Sequence, residues 1–115
     1  MKLIAKGEKI SQSELRQMAK KMFGNLVKAV VDVEKGIMAV DADLHADEEA
    51  FFLNKESEQK NLWGINLYPE MEGEDFVEFD SMINLRPSQN NRSCNVENLE
   101  IQKKILEIVG KLVEK

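Results

Sequence analysis

A chain of 115 residues and 13.2 kDa, 43% hydrophobic and 32% charged, has the size and balance of a single domain, 1–115, with one core. Its apolar runs, such as "AVV" and "IMAV", fall far short of the ~20 residues that span a bilayer, so no membrane segment is expected. The net charge of −5 is uneven: residues 1–40 hold eight Lys/Arg against four Asp/Glu, residues 41–80 two against thirteen, and residues 81–115 six against four. This crowding of acids in the middle argues against a nucleic-acid partner, which requires a broad basic face.

The first nine residues are too short an apolar patch for a secretion signal, and one cysteine makes no internal disulfide, so a cytoplasmic setting is expected. "KLIA" reads as a first short strand. In "ISQSELRQMAKKMFG", Ser11 and Glu14 have the spacing of a capping box, with Ile10 and Leu15 placed as a hydrophobic staple. Leu15, Met18, Ala19, Met22 and Phe23 form one apolar stripe, and Gly24 supplies a left-handed stop.

"VKAVVDV" and "IMAVDAD" alternate as strands of a hairpin joined through "EKG". "HADEEAFFLNK" has helical spacing at Ala46, Ala50 and Leu53. "LWGINLY" and "FVEFDSMINL" make a second hairpin, with Leu67 opposite Val77 and Trp63 opposite Ser81. That register places Trp63, Ile65, Leu67, Val77, Phe79, Ile83 and Leu85 on the core face. The reverse face, carrying Asn66, Glu78, Asp80, Asn84 and Arg86, suits a sheet packed on one side only. A final helix starts at Asn98 and carries Ile101, Ile105, Ile108, Val109, Leu112 and Val113. The expected architecture is α+β: a mostly antiparallel sheet of four to five strands with two long helices on one face, in the order β-α-β-β-(α)-β-β-α.

The most polar stretch, "INLRPSQNNRSCNVENLE", joins the last strand to the last helix, and Pro87 ends the strand. Arg86 and Arg92 beside a helix start suit an anion, since helix N-termini favour negative charge and guanidinium forks match carboxylate or phosphate oxygens. Ser88, Asn91 and Ser93 would orient it. The same residues also suit a purely structural role, because Asn and Ser bond to nearby backbone and arginine braces loops through carbonyls.

"EFDSMINLRPSQNNRS", with "LWGINLYPE" and "VKAVVDVEKGIMAV", resembles the pattern of a small prokaryotic family known only as a domain of unknown function, over roughly residues 10–115. The resemblance implies a standalone single-domain protein and no established activity, substrate or cofactor. The family pattern has glycine where this chain has Asn90, and asparagine tolerates the left-handed conformation.

Three further constellations carry chemistry. "DADLHADEE" gathers Asp41, Asp43, His45 and Glu49 as candidate ligands of a divalent cation, although Ala46 and Phe52 break the calcium-loop pattern and an acidic first helical turn explains the same residues. Glu78 and Asp80, two apart on a strand, lie side by side as acid–base or metal-ligand candidates for a metal-assisted hydrolase. Cys94 would need a base, and His45 is the only imidazole. Trp63, Met18 and Met22 are expected in the core. The functional expectations are a binding module for a small anionic ligand or acidic partner segment at the Arg86–Arg92 loop, a divalent-cation protein or metal-assisted hydrolase, and a structural homo-oligomer without a ligand.

Overall fold

The computed structural model describes residues 1–115. Strands β1 (Lys2–Ile4) and β2 (Ile10–Ser11) precede helix α1 (Gln12–Lys21), followed by β3 (Val27–Asp32), β4 (Ile37–Val40), helix α2 (His45–Asn54), β5 (Leu62–Leu67) and β6 (Val77–Glu78). Helix α3 (Leu99–Leu112) and β7 (Val113–Glu114) complete the chain. The architecture is α+β with a five-stranded antiparallel sheet, in strand order β1-β4-β3-β5-β6. β2 and β7 form a separate parallel pair that ties the start of α1 to the end of α3.

The long helices begin where the sequence writes their caps. The Glu14 N–H donates to Ser11 Oγ at 3.1 Å, and Asn98 Oδ1 accepts from the N–H groups of Glu100 and Ile101. The Glu14 carboxylate pairs with Lys2 Nζ at 2.8 Å, and this contact holds it below the usual carboxylate range. Helix α1 ends at Lys21, and Gly24, at φ +91°, donates its N–H back to the Ala19 carbonyl. Met22 and Phe23 therefore lie beyond the helix and are 40% exposed, contrary to the expected stripe, while Leu15 and Ala19 are buried.

The main core joins α1 and α3 to one sheet face through Leu15, Ile105, Val109, Val31, Met38 and Ile65. The other face is not left to solvent as expected. Helix α2 covers part of it, packing Phe52 against Val30, Ala39 and Leu62. The expected stripe of Ala46, Ala50 and Leu53 is exposed, and α2 buries His45, Glu48 and Phe52 instead. Two polar residues on the inward face hid the period.

The second hairpin has the expected register at Leu67–Val77, but β6 ends at Glu78 rather than running on to Leu85. Beyond Phe79 the chain turns through short 3₁₀ turns at Met82–Asn84 and Pro87–Gln89. Ile83 packs beside the α2 cluster and Leu85 is 45% exposed. Asn90 adopts the left-handed conformation, with φ 59°. No helix is long and apolar enough to cross a membrane.

Candidate functional site

Because β6 is short, the outer edge of β5 from Leu62 to Gly64 has no strand beside it. Side chains take the place of one. Asn84 Oδ1 accepts the Gly64 N–H at 2.8 Å, and Asn84 Nδ2 donates to the Gly64 carbonyl at 2.9 Å. Arg86 Nη2 donates to the Leu62 carbonyl. Unpaired backbone groups in a dry interior cost free energy, and the side chains remove that cost.

Arg86 is buried, and all five of its donors are used. Nε donates to the Ile83 carbonyl at 3.0 Å and Nη1 to the Gln59 carbonyl at 2.8 Å. Its remaining Nη1 donor faces Gln89 Oε1, and the second Nη2 donor faces Glu49 Oε2 at 3.5 Å. The guanidinium carbon lies 4.7 Å from the Trp63 ring centroid. Burial lowers the pKa of the group, and Glu49 opposes the shift.

Asn91 holds the loop from the other side. Its Nδ2 donates to the carbonyls of Asn84, Ser93 and Asn95, and its Oδ1 accepts the Glu97 N–H. Arg86 and Asn91 also exchange backbone hydrogen bonds. Of the predicted anion-binding set, Arg86 and Asn91 are thus consumed internally, and the helix start beyond them is already capped by Asn98. Ser88 and Arg92 are exposed, and Ser93 is half-buried with its hydroxyl accepting the Asn95 N–H.

The predicted cation ligands do not converge. No group of three or more His, Cys, Asp or Glu side chains is placed to hold a metal ion. Asp43 is exposed, Glu49 faces Arg86, and His45 Nε2 lies 2.8 Å from the Ile65 carbonyl. A carbonyl only accepts, so Nε2 carries the proton of the neutral ring. Burial lowers the His45 pKa, partly opposed by that carbonyl. Glu78 Oε1 accepts from Asn66 Nδ2 and from the Tyr68 hydroxyl, both at 2.8 Å. Burial, then the Glu78 contact, raises the pKa of Tyr68. Asp80 is exposed, and its backbone carbonyl accepts from Asn66. Cys94 Sγ lies 3.7 Å from Met82 Sδ.

Glu48, one of the acids of "DADLHADEE" that the sequence places on a solvated first turn, lies inside instead. It is fully buried, and neither carboxylate oxygen has a hydrogen-bond partner. Burial pushes its pKa up to about 10, opposed chiefly by the nearby Ala42 backbone, which lacks hydrogen-bond geometry. It is therefore an uncharged acid at neutral pH.

A separate concavity lies where the β1–β2 turn, the β3–β4 hairpin and α3 meet around a cavity of about 490 Å³. Lys6, Lys9, Lys35, Lys104 and Lys111 line it, and none of them is in an ion pair. Its apolar floor is Val33, Ile108 and Leu112. Lys104, Ile108 and Lys111 share one face of α3 at i, i+4 and i+7, which is the one trace of this groove in local sequence. The sequence reading missed it.

The chain matches a family described as protein of unknown function, DUF5674, over residues 3–112. It belongs to that family. DUF5674 carries no assigned activity, so the match places the chain in a family without supplying a reaction. No curated protein and no solved structure matches the chain. Four residues of the polar motif by which the chain resembles this family, "EFDSMINLRPSQNNRS", form a buried polar knot: Ser81, Asn84, Arg86 and Asn91.

Proposed function

We propose that this DUF5674 protein is a cytoplasmic binding module for a small anionic ligand, with the lysine-lined groove as its site. The observation that carries the reading is the set of five lysines, none in an ion pair, around a cavity of about 490 Å³ with an apolar lining of Val33, Ile108 and Leu112. That volume is within the ~300–1,000 Å³ of small-molecule sites. The five lysines outnumber the three glutamates of the lining, and a bound anion offsets that positive excess. The single cysteine suits a reducing compartment.

A thermal-shift screen of nucleotides, phosphorylated metabolites and small carboxylates tests this. An anion at 100 times its dissociation constant stabilises the fold by about 2.7 kcal/mol. The shift is expected to disappear in the Lys104→Glu/Lys111→Glu variant and to persist in Arg92→Ala. Loss in Arg92→Ala alone would return the site to the loop after Pro87.

A further inference from the structure

Resting on that reading of the groove, we infer that its ligand is a multiply charged organic phosphate with an apolar or aromatic body, of the class of nucleoside triphosphates. The charge pattern points there first. Of the three acids in the lining, Glu8 Oε1 accepts the Ala5 N–H at 2.8 Å and Glu34 Oε2 accepts from Asn61 Nδ2 at 2.7 Å. Both carboxylates are thus engaged within the protein, and neither forms an ion pair with a groove lysine. Glu107 is the third. Five lysines against three acids leave an excess of two positive charges, so a monoanion would leave the groove positive.

The residue type points the same way. Lysine offers a mobile point charge with three donors, which suits the spread oxygens of a phosphate chain. No arginine lines the groove, so an anion there would be held by mobile point charges rather than by a planar fork. The lysines come from three directions: Lys6 and Lys9 from the β1–β2 turn, Lys35 from the β3–β4 hairpin, and Lys104 and Lys111 from α3. Charges arriving from three elements fit an extended polyanion. Lys35 Nζ also donates to the Lys55 carbonyl at 3.4 Å, a long bond that a phosphate oxygen would replace.

The backbone around the cavity is open. Gly7 and Gly36 both line it with positive φ, and a Cβ at either would meet nothing within 4 Å. Both turns take glycine because their backbone is left-handed at that position, and no side chain intrudes there. The floor of Val33, Ile108 and Leu112 has no polar side-chain group to satisfy a phosphate. It suits the flat apolar face of a base or another hydrocarbon body.

Isothermal titration of the full chain with ATP, AMP, tripolyphosphate and octanoate tests the assignment. ATP is expected to bind tightest, with AMP, tripolyphosphate and octanoate each about tenfold weaker or more. The Lys104→Glu/Lys111→Glu variant should lose ATP binding while keeping its melting temperature, and Lys6→Ala/Lys9→Ala should weaken it. Octanoate or AMP binding as tightly as ATP would overturn the polyphosphate class but leave the groove as the site. Tripolyphosphate binding as tightly as ATP would overturn the apolar body and point to inorganic polyphosphate. If no probe binds, or if both lysine variants bind ATP like the wild type, the groove reading itself falls.

Discussion

The side-chain amide of Asn84 pairs with the backbone of Gly64 as a neighbouring strand would, giving and receiving one hydrogen bond each at 2.9 and 2.8 Å. The same Nδ2 also donates to the Cys94 carbonyl at 3.0 Å. Asn84 is fully buried, so its removal leaves these backbone groups dry and unpaired. An unsatisfied buried group costs about 1–3 kcal/mol, and Asn84→Ala should lose about 3 kcal/mol in all. Urea unfolding measures this, and a loss below ~1 kcal/mol would mean that water replaces the amide.

Gly64 is constrained from the other side. A Cβ there would lie 2.6 Å from both Cβ and Oγ of Ser81, and 3.2 Å from His45 Cδ2. Gly64→Ala should therefore destabilise by about 2 kcal/mol or more through overpacking. Ser81→Gly in the same chain should recover part of the loss, since contacting residues couple in a double-mutant cycle. Additive losses would show that the Ser81 contact is not the cause.

Arg86 is a brace with a buried charge. Arg86→Ala leaves carbonyls and Glu49 without their partner and should cost about 3–5 kcal/mol, the range for breaking a buried pair. Arg86→Lys should recover little, because an ammonium has three donors where the site uses five. Neither change should alter anion affinity at a temperature where the variant remains folded. Selective loss of binding in a folded Arg86→Lys protein would contradict the structural role.

Glu48 sets a pH dependence. Its carboxyl holds a proton in the fold up to about pH 10, whereas the unfolded chain releases it near 4.5. The folded state thus binds more protons across that window, and stability falls as pH rises through it. The slope from one such proton is about 1.4 kcal/mol per pH unit. His45 acts in the opposite sense. Its folded pKa lies below 6.5, so the unfolded chain takes up more protons as pH falls below that value, and stability falls with it. The two slopes offset below about pH 6.5, and the decline should be clearest between pH 7 and 9. Glu48→Gln should remove that decline and raise stability at pH 8. Equal slopes in both proteins would show that Glu48 is ionised in the fold.

Much of the fold is legible in the sequence because its signals are local. Ser11, Asn98 and Gly24 mark helix ends through their own backbone neighbours, and the Leu67–Val77 register follows from side-chain alternation. The inward face of α2 is not legible, since His45 and Glu48 read as solvent-facing acids and bases until β5 and β3 are placed beneath them. A bracing role for Arg86 is open in the sequence, but the partners are not legible, since Gly64 and Leu62 lie twenty or more residues from Asn84 and Arg86. The groove is the extreme case. Lys9, Lys35 and Lys104 become neighbours only when three separate elements meet, so no window of sequence contains it.

The most direct test is an amide chemical-shift titration of the ¹⁵N-labelled protein with ATP. Shifts are expected to concentrate in residues 6–9, 33–36 and 104–112, with the amides of residues 86–93 unmoved. Shifts confined to residues 86–93 and the start of α3 would contradict that expectation and make the arginine loop the site.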